Sequence, residues 1–220
     1  MEIQRLIDST LLRPEATETE IIRLCEEALE YGFAAVCTNS CYAGTVSRLV
    51  AGSVVKTCVV VGFPLGAAAT EAKVCEARYA LENDAEEVDM VMNVGTLKSG
   101  EPRRVEDDIR AVVEQCDGKA LVKVILECCL LSDSEIVDAC GIAVAAGADF
   151  VKTSTGFGSG GATAHDVKLM KDAVAGRARV KASGGIRDLE TAIEMINAGA
   201  DRLGTSNGAS IVDEARRRGV

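Results

Sequence analysis

The chain contains no tryptophan, and aromatic residues make up only 3% of its 220 positions. Without large rings the core has to be filled by Val, Ala, Ile and Leu, which suits a parallel sheet covered by helices. There is a single histidine, so a His-rich metal site is excluded. No apolar run reaches the ~18 residues that a membrane-spanning helix requires, and the opening residues do not read as a secretory signal. No long basic stripe or interleaved aromatic pattern occurs. With 24 Lys+Arg against 34 Asp+Glu, the net charge of −10 argues against nucleic-acid binding. The short run Arg216-Arg217-Arg218 reads as a solvated helix end. No Gly-x-Gly-x-x-Gly follows the first expected strand, which weakens a dinucleotide-binding reading.

Cysteine, in contrast, is plentiful, with nine copies. The odd count and the chain length argue against a disulfide framework. Most lie in apolar stretches, as Cys58 does in Thr57-Cys58-Val59-Val60-Val61, where cysteine behaves as a small hydrophobe. Cys37/Cys41 and Cys128-Cys129 do not form a Cys-x-x-Cys array, and no metal or cofactor is expected. A reducing cytoplasm is the default compartment.

Short β-branched runs alternate with longer amphipathic stretches. Strands are expected at 34–37, 57–61, 87–92, 121–126, 149–151, 179–182 and 202–204, with a shorter one at 6–9. Helices are expected at 17–31, 70–81, 101–116, 132–146, 164–175, 188–198 and 210–218. Thr17-x-x-Glu20 and Ser132-x-x-Glu135 are capping-box patterns, and Pro102 stands where a helix start tolerates proline. Gly32, Gly147 and Gly199 each close a helix and lead into a strand, and Asn83 holds the matching place in a fourth copy. This repetition predicts an α/β protein, a single (β/α)8 TIM barrel over residues 1–220 with a short N-terminal helical extension. A doubly wound open sheet is the alternative.

The expected strands carry charge on one face. Alternation puts Glu87, Asp89, Val91 and Asn93 on one side of their strand, and Lys123, Ile125 and Glu127 on one side of the next. In a barrel that side is the interior, where charges are costly unless paired. Asp89, Lys123, Glu127, Lys152 and Lys181 are therefore expected to form one buried ionic cluster. A purely structural salt-bridge network is an equal reading for Lys123 and Glu127. Lys152 and Lys181 are harder to explain by packing, because each ends a short apolar strand and runs into a small-residue loop. A desolvated lysine favours the neutral amine, a nucleophile that can form a Schiff base with a carbonyl compound. Lys181 beside Lys152 would favour the amine further, and Asp89 could hold Lys181 charged or relay protons through a water.

Glycine loops offer a second function. Ser183-Gly184-Gly185-Ile186-Arg187 and Gly204-Thr205-Ser206-Asn207-Gly208 lead into helices, and Thr155-Gly156 follows Lys152. Backbone N–H groups at such helix starts bind phosphate. The first two loops follow strands seven and eight, the common phosphate position in barrels.

In these phrases, together with Ile7-Asp8-Ser9-Thr10-Leu11-Leu12 and Val61-Gly62-Phe63-Pro64-Leu65-Gly66, the chain resembles the deoxyribose-phosphate aldolases, class I Schiff-base enzymes with a TIM-barrel fold. The resemblance covers nearly the whole length. It implies that Lys152 forms the Schiff base and that Asp89 and Lys181 handle protons. It also implies that Thr155, Gly156, Gly184, Gly185, Arg187, Gly204, Ser206 and Asn207 surround a phosphate, with Asp8, Thr10, Asn39, Lys123 and Glu127 in support. Asn207 stands where a second serine is common in the family, but its amide can still donate a hydrogen bond. The implied reaction is reversible cleavage of 2-deoxy-D-ribose 5-phosphate to acetaldehyde and D-glyceraldehyde 3-phosphate. The implied partners are a sugar phosphate, aldehydes and like subunits in a homo-oligomer. Two rivals stay open. One is a phosphate-binding barrel isomerase using Asp89 or Glu127 as base; the other is a sugar-phosphate sensor without turnover.

Overall fold

The computed structural model describes residues 2–220. Eight parallel strands close into a barrel in sequential order: β1 (Ile7–Leu11), β2 (Ala35–Asn39), β3 (Lys56–Val61), β4 (Glu87–Val91), β5 (Leu121–Ile125), β6 (Phe150–Lys152), β7 (Arg179–Ser183) and β8 (Arg202–Thr205). β8 pairs with β1, so no sheet edge is left open. A 3-10 turn over Ile3–Leu6 is the short N-terminal helical extension. Among the described residues no helix is long and apolar enough to cross a membrane.

The helices are α1 (Glu18–Tyr31), α2 (Ala43–Val50), α3 (Thr70–Glu82), α4 (Val94–Lys98), α5 (Pro102–Cys116), α6 (Asp133–Ala145), α7 (Ala164–Val174), α8 (Leu189–Asn197) and α9 (Gly208–Arg218). α1 and α6 start with the two capping boxes, each satisfying orphan N–H donors at the helix start. Losing such a cap costs roughly 1 kcal/mol. Two helices have no counterpart in the pattern reading. α2 follows a 3-10 turn at Ser40–Tyr42 with no capping side chain, and α4 is a single short turn capped by Asn93. In the fourth helix-to-strand copy the left-handed residue is Asp84 (φ 60°), while Asn83 keeps φ −112°.

The strands sort their side chains by alternation. Val36, Val59, Val61, Val88, Met90, Val122, Val124, Val151, Val180 and Leu203 face outward and join the helices in the main apolar core. Each such side chain contributes about 1.5–3 kcal/mol on full burial. The inward positions carry a smaller apolar patch, with Ala35, Cys37, Cys58 and Val60 beside Leu12 and Phe63. Phe150, Ile125 and Val91 also point inward, and among them stand the charged residues where the site lies.

Candidate active site

Register brings the inward charges level. Asp89 on β4 is the direct partner of Lys123 on β5, and Lys152 on β6 of Lys181 on β7. All four side chains are buried, with Lys152 alone reaching 2% exposure. Asp89 is the hub. Its Oδ1 accepts from Lys123 Nζ at 2.8 Å, and its Oδ2 accepts from both Lys152 Nζ and Lys181 Nζ at 2.7 Å. Lys123 Nζ also lies 2.5 Å from Glu87 Oε2. Lys181 Nζ lies 2.5 Å from Asp8 Oδ2, an ion contact without hydrogen-bond geometry. Arg202 closes the network from β8, bridging Asp8 and Glu87.

Burial alone would push the Asp89 carboxyl upward, but Lys123, Lys152 and Lys181 outweigh it and hold the carboxyl well below the usual carboxylate range. The same competition runs in reverse at Lys181. Burial works to lower its ammonium, and the carboxylates of Asp8 and Asp89 prevail and hold it above the ordinary lysine range. Lys123 behaves alike, with Asp89 as the largest opponent of burial. Lys181 is therefore a firmly held cation next to Lys152, and Asp89 a firmly held anion between them.

A cavity of about 370 Å³ opens at the C-terminal end of the barrel. Lys152 lines it, and around it stand Thr155, Gly156, Gly184, Gly185, Arg187, Gly204, Ser206 and Asn207, every phosphate-loop residue expected from the sequence. Gly184 and Gly185 have φ of 86° and 80°, a left-handed path that turns the β7–α8 loop over the cavity. Gly204 makes room for its neighbours: a Cβ there would stand 2.9 Å from Ser183 Cβ and 3.2 Å from Lys181 Cε. α8 is capped by Asp188, whose carboxylate accepts from Thr191 N at 2.8 Å. α9 starts at Asn207 with no side-chain cap, leaving first-turn N–H groups available to an anion. Two hollows of about 400 Å³ at the opposite end of the barrel, near Asp149 and near Lys56, open away from the lysines.

The supporting residues divide. Asp8 and Lys123 belong to the ionic network, and Thr10 lines the cavity. Asn39 is bonded to the Leu12 carbonyl at 3.2 Å and secures the β1 loop. Glu127 departs from expectation, because it does not join the lysine cluster. β5 ends at Ile125, and Glu127 takes a left-handed conformation (φ 58°) that breaks the strand alternation. Its carboxylate turns to the β6 loop, where it accepts from the Thr155 hydroxyl and, at 3.3 Å, from the Thr155 N–H. The acidic partners of Lys123 are Glu87 and Asp89 instead, and Arg202 joins the cluster as a further cation. His165 stands exposed in the first turn of α7, paired with Asp133 at 2.9 Å, away from the cluster.

Sequence reading also missed Arg13 and Phe157, both on the cavity wall, and the juxtaposition of Cys37 and Cys58 inside the barrel. Arg13 carried a faint signal, a basic residue two positions past the end of the first strand. The cysteine pair carried none until strand register was known.

Residues 5–213 match the model of the DeoC/LacD family aldolases. The chain is 56% identical to a deoxyribose-phosphate aldolase of Clostridium tetani over 98% of its own length and all of the relative's. It is 57% identical to one from a Geobacillus species over 96% of this chain and 95% of that one. Among solved structures it superimposes on the tetrameric deoxyribose phosphate aldolase of Aeropyrum pernix with TM-score 0.91 at 37% identity, covering 99% of this chain and 92% of that one. With a family match across nearly the whole chain and relatives identical at more than half of the aligned positions, the chain belongs to the DeoC/LacD family of aldolases.

Proposed function

We propose that this enzyme reversibly cleaves 2-deoxy-D-ribose 5-phosphate to acetaldehyde and D-glyceraldehyde 3-phosphate, with Lys152 as the Schiff-base residue. One observation carries the reading. Among the lysines bonded to Asp89, Lys152 is the one that lines the cavity enclosed by the glycine loops. Substrate can reach this amine, while Lys123 and Lys181 stay fully buried.

Lys152 gives up one proton to become the amine that adds to the C1 aldehyde of the open-chain sugar, and that proton is taken back as water leaves, giving a protonated imine. The proton leaving the C3 hydroxyl goes to the Asp89 carboxylate, through a water. The C2–C3 electron pair then flows to the imine nitrogen, releasing glyceraldehyde 3-phosphate and leaving an enamine. Lys181, held cationic by Asp8 and Asp89, supplies positive potential at the reacting centre, and the proton taken up by Asp89 returns to C2 through the Asp89–Lys181 contact and the same water, so that both residues end the cycle as they began. Water releases acetaldehyde and regenerates the amine. The Gly184–Arg187 loop, Gly204, Ser206 and the α9 amides take the phosphate, with Thr155 held in place by Glu127.

We further read residues 1–220 as one domain, and the protein as a cytoplasmic homo-oligomer. The tetramer of the Aeropyrum pernix relative supports the assembly.

Borohydride reduction in the presence of acetaldehyde, followed by peptide mass mapping, tests the covalent step. The expected result is a reduced two-carbon adduct on Lys152, and no turnover in Lys152→Ala. An adduct on Lys181 with an active Lys152→Ala variant would overturn the assignment. Tight binding of the sugar phosphate without turnover by the intact chain would favour a sensor.

A further inference from the structure

The barrel interior holds a second constellation on the far side of Asp89. Cys37 on β2 and Cys58 on β3 are direct cross-strand partners, both fully buried and both inward-facing. Their two Sγ atoms and a carboxylate oxygen of Asp89 lie within 4.8 Å of one another. The Cys58 thiol donates to Asp89 Oδ1 at 3.2 Å, and Lys123 Nζ donates to Cys58 Sγ at 3.5 Å. Two sulfurs and one oxygen, held on rigid strands, are three of the four donors of a tetrahedral thiolate site.

We propose that Cys37, Cys58 and Asp89 form a binding site for a soft, thiophilic cation such as Cd2+, and that its occupancy inhibits the enzyme by drawing Asp89 away from Lys152 and Lys181. Charge selects the class of ion. Lys123, Lys152, Lys181 and Arg202 face Asp8, Glu87 and Asp89, so the formal count is four positive less three negative, or one positive. A hard dication bound through oxygen alone would raise the cluster to three positive in a buried space. A dication bound by two thiolates leaves the count unchanged, because the two thiol protons leave to solvent as the ion enters. A soft monovalent ion would bring it to zero. Sulfur donors prefer such ions, and binding releases the thiol protons.

Binding rests on the side-chain geometry alone, and inhibition rests on the roles proposed above for Lys152 and Asp89. Spectroscopy and turnover therefore fail separately. The full chain and a Cys41→Ser/Cys75→Ser/Cys129→Ser variant, which lacks the exposed thiols, are titrated with cadmium chloride. The ultraviolet thiolate-to-cadmium charge-transfer band is followed beside turnover. The band is expected to saturate at one ion per chain in the triple variant, to vanish in Cys58→Ser and Cys58→Ala, and to resist excess magnesium. X-ray absorption at the cadmium edge, recorded on the triple variant, should show two sulfur neighbours plus oxygen or nitrogen. It decides the matter even where the Cys58 variants fold poorly. Turnover should fall in step with the band and return on chelation. A band that survives in the Cys58 variants, or an edge spectrum without two sulfurs, overturns the site. A saturated band with full turnover overturns the inhibition.

Discussion

Replacing Asp89 by Asn removes the one carboxylate that three buried ammonium groups share, at 2.7–2.8 Å each. A hydrogen bond to a charged group is worth about 1.5–3 kcal/mol net, so three such bonds suggest a gross loss of roughly 4.5–9 kcal/mol. The folded variant has a cheaper option, because one lysine can shed its proton. Starting from an ordinary value of about 10.4, neutralising a lysine near pH 7 costs at most ~3.4 pH units at ~1.36 kcal/mol each, or about 4.6 kcal/mol. The loss should therefore fall between about 3 and 4.6 kcal/mol near neutral pH, the usual scale for a broken buried ion pair. The variant's folded state then binds one proton fewer than its unfolded state, so its stability rises with pH up to the ordinary lysine value. In the wild type, Lys123 and Lys181 are raised in the fold. Their contribution is intact below the ordinary lysine value and is lost only as pH climbs past it toward their folded values. The gap between the two proteins should thus narrow by roughly 2.7 kcal/mol between about pH 7 and pH 9. Urea unfolding of both proteins at the two pH values measures it. A gap that stays constant, or is below ~1 kcal/mol near pH 7, would refute the idea that Asp89 holds the lysines.

Turnover of the same variant should drop by about 10²-fold or more, the scale of lost acid–base catalysis, and combining it with Lys181→Leu should add little further. Additive losses in the double variant would separate the two residues. Arg187→Ala should weaken the phosphorylated sugar by about 1.5–3 kcal/mol while sparing turnover of free deoxyribose; equal losses on both substrates would assign Arg187 to the fold. Gly204→Ala forces a methyl group against Ser183 and Lys181, at 2.9 and 3.2 Å. It should cost about 1–3 kcal/mol of stability and lower turnover even with saturating substrate, whereas wild-type kinetics would show that the contact relaxes freely.

Strand-end lysines and the polar face of β4 are legible in sequence because both are local patterns. A period of two identifies an inward residue, and a glycine loop marks a strand end. Which inward residues share a depth is not local, since it depends on the stagger accumulated around the closed barrel. Arg202 reaches Asp8 across nearly the whole chain length, and Cys37 meets Cys58 only through the β2–β3 register. The error at Glu127 has a different origin. Glu127 lies two residues past the end of β5, in a left-handed turn that no propensity would assign to glutamate, so strand alternation does not reach it. α2 escaped because it has no capping side chain, and α4 because one turn is too short to show a period.

The two helices that follow the phosphate loops differ in how they begin. α8 carries its own cap in Asp188, but α9 does not have one in Asn207. A phosphate seated as proposed would supply the cap that α9 lacks, and would tie the order of the last helix to whether the cavity is filled. α9 packs Gly208 directly onto Ile7 of β1 and Phe33 before β2, beside the β8–β1 junction that closes the barrel. A phosphate bound there would thereby tighten the seam where the first strand meets the last. Backbone amides of β1 and α9 should exchange more slowly together when substrate is present, while those of α8 keep their own pace.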